Sequence, residues 1–116
     1  MTKIAIAFAL FFSAFSYADV LETQNYTISI EINCEQGEML CKDVSYLGVS
    51  KRSQNQIQLK GETVHTICAD GVTPCTFLGY RFQNGAVEYF VSAHGDLRVT
   101  NANGDTLLQE SGEWQY

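Results

Sequence analysis

The stretch Leu78-Gly79-Tyr80-Arg81-Phe82-Gln83-Asn84-Gly85-Ala86-Val87-Glu88-Tyr89-Phe90-Val91 decides the fold class. Asn84 and Gly85 both tolerate φ > 0, as a two-residue type I′ turn requires, and both flanks are rich in aromatic residues. With these two residues as the loop, Phe82 faces Val87, Arg81 faces Glu88, Tyr80 faces Tyr89, Gly79 faces Phe90 and Leu78 faces Val91. One face then carries Leu78, Tyr80, Phe82, Val87, Tyr89 and Val91. The other sets Arg81 against Glu88 and lays Phe90 over the bare backbone of Gly79. Each such pair contributes roughly 0.2–1 kcal/mol, so several in agreement favour a single register.

Short strands surround this hairpin. Tyr26 to Ile32 alternates strictly, with Tyr26, Ile28, Ile30 and Ile32 on one face, the mark of a half-buried antiparallel strand. Val44 to Val49 is a second strand. Gln56 to Lys60 alternates again, Gly61-Glu62 reads as a tight connection, and Thr63 to Cys68 is β-branched. After the hairpin, Ser92 to Asp96 turns into Leu97 to Thr100, and Asn103-Gly104 turns into Asp105 to Gln109. Trp114 and Tyr116, in the tail, have no place in this scheme. Outside the N-terminal run, apolar residues nowhere recur at helical spacing over three turns. Eight short strands at even intervals predict an all-β antiparallel eight-stranded barrel or sandwich, in one domain.

The start of the chain reads differently. A positive Met1-Thr2-Lys3, an apolar run from Ile4 to Phe15 and small residues at Ser16-Tyr17-Ala18 form a signal peptide, with cleavage expected after Ala18. The apolar run is shorter than the about 20 residues a membrane span needs, and no later stretch is a candidate, so stable membrane insertion is not expected. Residues 19–116 are then the exported domain, periplasmic or secreted. Asn25-Tyr26-Thr27 matches a glycosylation sequon, of consequence only in a eukaryotic host.

Four cysteines in an exported chain imply two disulfides. Cys34 with Cys41 and Cys68 with Cys75 repeat the same spacing. Three connectivities are open, and the matching blocks favour local pairing. Zinc is the weaker reading, because paired metal-binding cysteines prefer gaps of about two to four residues. Gly37 permits a turn inside the first block, whose Glu35 and Glu38 read as solvated. Neither these nor Asp96 with Asp105 has the dense acidic pattern of a calcium loop. No cofactor or metal is expected.

Charge narrows the partners. The chain carries 7 basic and 13 acidic residues, a formal −6, and losing Lys3 with the leader makes the domain one charge more negative. Such a surface repels nucleic acid phosphates and suits a cationic protein. Equally, acidity alone keeps an exported protein soluble. An enzyme is not expected. His65 lies mid-strand and reads as structural, His94 lies in a polar turn, and neither a nucleophile elbow nor H-E-x-x-H occurs.

From Gly79 to Leu108 the succession G-Y-R-F-Q-N-G-A-V-E-Y-F-V-S-A-H-G-D-L-R-V, then a turn and T-L-L, resembles the bacterial inhibitors of c-type lysozyme. Those are small periplasmic or membrane-bound eight-stranded barrels, and two of their loops enter the lysozyme cleft. Gly79, Phe82, Gly85 and Gly95 match family positions, and Ile57 to Gly61 resembles the strand before the inhibitory segment. Leu78 and Thr76 stand where the family has serines, His94 stands in place of its lysine, and no cysteine lies near the C-terminus. The resemblance implies partner contacts through Thr76, Leu78, Gly79, Tyr80, His94, Gly95 and Asp96, with lysozyme as the cationic partner. The alternatives are an envelope-associated structural or interaction domain without an enzyme target, and a small hydrolase or ligand-carrying barrel.

Overall fold

The computed structural model describes residues 18–35 and 40–115. The expected signal peptide up to residue 17, the expected turn at Gly37 with Glu38, and Tyr116 lie outside the described residues. Among the described residues the chain forms β1 (Asp19–Thr23), β2 (Tyr26–Ile32), β3 (Val44–Ser50), β4 (Gln56–Ile67), β5 (Pro74–Asn84), β6 (Val87–Ser92), β7 (Asp96–Thr100) and β8 (Thr106–Gln115). Each strand pairs antiparallel with its neighbour in sequence, and β1 pairs with β8. The sheet therefore closes on itself. Of the barrel and sandwich alternatives the barrel is correct, and its closure leaves the eight-stranded body of the sheet without a free edge.

Two expectations about individual strands are corrected. Gly61-Glu62 is no turn: β4 runs unbroken through it, with Gly61 paired to Val44 on one side and Phe82 on the other. A Cβ on Gly61 would lie 2.0 Å from the Arg81 carbonyl oxygen and 2.4 Å from the Phe82 ring. The glycine marks a close approach inside the sheet, the other meaning a strand glycine has. The strand thus lost is replaced by β1, whose Asp19-Val20-Leu21-Glu22-Thr23 is too short to show a period. β8 also runs further than expected, to Gln115, and places Trp114 half-buried beside Leu21.

The central hairpin is corrected in register. Asn84 pairs with Val87, Phe82 with Tyr89, Arg81 with Phe90, Tyr80 with Val91 and Gly79 with Ser92. The loop is Gly85-Ala86: Gly85 has φ 65° and Ala86 does not have positive φ, the arrangement that puts glycine first in a II′ turn. Moving the loop by one residue moves each pairing by two, so the faces survive. Tyr80, Phe82 and Val91 are buried, and Val87 and Tyr89 half-buried, on the same interior face. The charge pair does not survive. Arg81 bonds Glu62 of β4, and Glu88 faces Gln83.

The core is the barrel interior. Phe82 is fully buried and its ring meets Tyr46 at 5.0 Å between centroids; Tyr46 meets Tyr89 edge-on at 5.6 Å. Such ring pairs add about 0.5–1.5 kcal/mol beyond the area they bury. Burial pushes the Tyr46 hydroxyl well above the usual tyrosine range, with the neighbouring Tyr89 and Tyr26 adding to the effect. At one barrel end Lys51 Nζ donates to the Thr23 carbonyl at 2.6 Å and to Glu22 Oε1 at 3.0 Å, tying the β3–β4 turn to β1. Asn25, the sequon asparagine, is exposed there, and its Nδ2 donates to Glu110 Oε2 at 2.6 Å.

Candidate protein-docking end of the barrel

The two disulfides form locally, Cys34–Cys41 and Cys68–Cys75, and both sit at the other end of the barrel. There the sheet changes character. β3 leaves β4 at Gly61 and β6 leaves β5 at Gly79, yet β4 and β5 stay paired as far as Ile67 and Pro74. The outer part of the β4–β5 hairpin is thus a two-stranded ribbon standing beyond the closed barrel. Two-stranded ribbons are marginal in water, and this one is braced at its tip. Cys68–Cys75 crosses it, and Cys68 N donates to the Thr73 carbonyl at 2.8 Å. Asp70 caps the turn, accepting from Val72 N and Thr73 N at 2.9 Å each and from the Thr73 hydroxyl. These donors, the hydroxyl first, hold the Asp70 carboxyl at about 2.

A bulge decides what the ribbon presents. Val64 pairs with Gly79 and His65 with Phe77, so Leu78 is an extra residue on β5. Period-two alternation would bring Leu78 inward with Tyr80, and the bulge turns it out instead, 41% exposed. The bulge is possible because Gly79 takes φ 150° and brings its Cα to where a Cβ would meet the Val91 carbonyl oxygen at 2.3 Å. The expected inward place of Leu78 is therefore corrected. Phe77 is exposed too, with its ring 5.3 Å from His65 and 5.1 Å from Tyr80. His65 is half-buried, and its Nδ1 has no hydrogen-bond partner among the described residues.

The β6–β7 turn comes alongside. Ala93 N donates to the Leu78 carbonyl at 2.9 Å, joining the two loops that the sequence offered as contact segments. Trp114 Nε1 donates to the Ala93 carbonyl at 3.0 Å, Gly95 N to Ser92 O at 3.1 Å, and Gly112 N to Gly95 O at 2.8 Å. The turn is bonded on all sides, and His94 stands exposed at its top.

The seven expected contact residues accordingly divide. Thr76, Leu78 and His94 are exposed, and Asp96 is half-buried with its carboxylate accepting from the Ser111 hydroxyl at 2.7 Å. Gly79, Gly95 and Tyr80 are buried; Tyr80 is 5% exposed and belongs to the core, so these three shape the surface from beneath. The sequence reading passed over Ile67, Val72 and Phe77, exposed apolar side chains on the same ribbon, and Trp114, the prop of the turn. The signal was present: strand residues flanking a cysteine block of eight cannot all face a core.

Among the described residues no group of three or more His, Cys, Asp or Glu side chains is placed to hold a metal, and no helix is long and apolar enough to cross a membrane. No family model matches the chain, and neither a curated protein nor a solved structure does.

Proposed function

We propose that the chain is an exported, non-enzymatic binding module that docks its ribbon end on a cationic protein, with c-type lysozyme the concrete candidate and occlusion of the active-site cleft the mechanism. The observation that carries this reading is the Ala93–Leu78 hydrogen bond, which makes one rim of the bulged ribbon and the His94 turn. Around that rim Ile67, Val72, Phe77 and Leu78 are exposed, an apolar concentration of the kind that marks interaction surfaces. A rim already held by a disulfide and a network of backbone bonds loses little freedom on docking. The formal charge of −6 favours encounter with a basic enzyme. The two disulfides and the leader-like N-terminus support an oxidising compartment, periplasmic or extracellular.

The test is inhibition of c-type lysozyme on cell-wall substrate by the oxidised domain. Inhibition at micromolar protein is expected, lost in Leu78→Asp and His94→Glu, both exposed positions whose substitution leaves the barrel folded. Untouched lysozyme at that concentration sinks the inhibitor reading and leaves the envelope-associated structural role in its place.

A further inference from the structure

The interior is filled unevenly. Toward the ribbon end Ile30, Val44 and Val91 are fully buried. Toward the other end, Tyr26, Ile57, Tyr89 and Leu108 also point inward, paired in register with interior residues, yet each is only half-buried. They enclose a cavity of about 320 Å³, with Tyr46, Gly48, Leu97, Val99 and Leu107 completing its walls. An eight-stranded barrel is just wide enough for its side chains to fill or for one small ligand to enter. Here side chains fill the interior around Tyr46 and Phe82, and a cavity opens toward the end away from the ribbon.

Two details shape the opening. Tyr46 leans along its strand over Gly48, so that a Cβ there would meet its Oη at 2.8 Å. The phenol oxygen thus reaches toward the cavity end of the barrel. At the mouth, Val99 pairs with Leu108 but Thr100 pairs with Thr106, leaving Leu107 as a bulged residue, 57% exposed, against the cavity. Bulges re-aim side chains beside sites in this way.

We propose that this barrel mouth binds one small, uncharged aromatic molecule carrying a single hydroxyl group. The volume lies at the lower end of the roughly 300–1,000 Å³ of small-molecule sites, and apolar walls with a few polar groups are their usual lining. Every wall residue is uncharged, so an ionised ligand would be desolvated without a counter-charge. The acidic chain repels carboxylate amphiphiles besides. Tyrosine rings at 5.6 Å, edge to face, offer an aromatic guest a matching contact, and the phenol groups serve its hydroxyl. The site is at the opposite end from the docking rim and independent of it.

The probe is 2-naphthol, titrated into the oxidised domain and followed by its fluorescence and by amide chemical shifts. Saturable one-to-one binding is expected, with shifts at Gly48, Tyr89 and Leu108 and none at Leu78 or His94. Ile57→Trp fills the cavity and is expected to weaken binding by roughly tenfold or more, about 1.4 kcal/mol. Leu107→Asp, at an exposed position that leaves folding intact, places a charge at the mouth and is expected to weaken it several-fold. The proposal is overturned by absent or non-saturable binding, by shifts at the ribbon end, or by wild-type affinity in folded Ile57→Trp. Should that variant not fold, wild-type affinity in Leu107→Asp overturns it equally.

Discussion

Arg81 Nη2 donates to Glu62 Oε2 at 2.9 Å, between residues directly opposite each other on β4 and β5. The arginine is 42% exposed and the glutamate 39%, so water screens much of their attraction. Arg81→Ala and Glu62→Ala are each expected to cost under about 1 kcal/mol by urea unfolding. A double-mutant cycle is expected to show coupling between Arg81 and Glu62 and none between Arg81 and Glu88. Coupling of Arg81 to Glu88 instead would restore the Asn84-Gly85 register.

That pair shows where a sequence is legible. Alternation over Tyr26–Ile32 and Val87–Val91 reports which face is buried, because burial acts on every second residue alike. It does not report which neighbour lies opposite, since a slide of two residues preserves both faces. Asn84-Gly85 satisfies I′ chemistry and Gly85-Ala86 satisfies II′, so turn chemistry alone does not choose between them, and the structure takes the second. Gly61 was misread for a related reason. A glycine needed for a turn and a glycine needed for contact with the Arg81 carbonyl look the same in sequence. The eight-strand count was right through two offsetting errors, the split of β4 and the omission of β1. At the ribbon end, the Thr76–Tyr80 and Ala93–Asp96 segments, expected to act together as contact loops, are joined by the Ala93–Leu78 hydrogen bond. The bulge that exposes Leu78 was not legible, because it depends on β4 across the ribbon.

Phe82 and Leu78 lie four residues apart on β5 and are expected to differ sharply. Phe82 is fully buried against Tyr46, so Phe82→Ala is expected to cost about 3–5 kcal/mol. Leu78, turned outward by the bulge, is expected to cost within about 0.5 kcal/mol on truncation to alanine. Chemical denaturation of both variants checks this. A large loss at Leu78 would mean that the bulge does not persist in solution.

Asp70 supplies a pH signature confined to the ribbon tip. Its carboxyl is held at about 2, below the ordinary 3.8, by the Thr73 hydroxyl first and then by the backbone donors of Thr73 and Val72. A depressed carboxyl contributes stability that is fully present above the ordinary value and lost as pH falls through the depressed one. Order in the Cys68–Cys75 turn should hold at pH 4 and above and fade between about 4 and about 2. A carboxyl-carbon NMR titration of Asp70 is expected to give a midpoint near 2, and in Asp70→Ala the amides of Val72 and Thr73 should exchange faster at neutral pH. A midpoint at the ordinary value would mean that the cap is not formed.

The two disulfides close loops of equal length, so chain entropy alone assigns them the same value, about 2–3 kcal/mol each. Their surroundings differ. Cys41 is 3% exposed and packs into the main core, and its carbonyl accepts from Thr63 N at 2.9 Å, which ties it to β4 inside the barrel. Cys68 and Cys75 close a ribbon outside the barrel, which can open while the barrel stays folded. Replacing Cys34 and Cys41 by serine is therefore expected to remove about 3 kcal/mol of global stability, lowering Tm by roughly 12–24 °C. Replacing Cys68 and Cys75 is expected to lower it by under about 1 kcal/mol, while the amides of Cys68 and Thr76 lose their exchange protection. The same loss of order should abolish the proposed docking at the ribbon end but leave the proposed 2-naphthol binding at the opposite mouth intact. Calorimetry and hydrogen exchange on the two double variants decide the matter. Equal losses of Tm would make the ribbon part of the cooperative barrel, and its bracing would then be a matter of folding as much as of presentation.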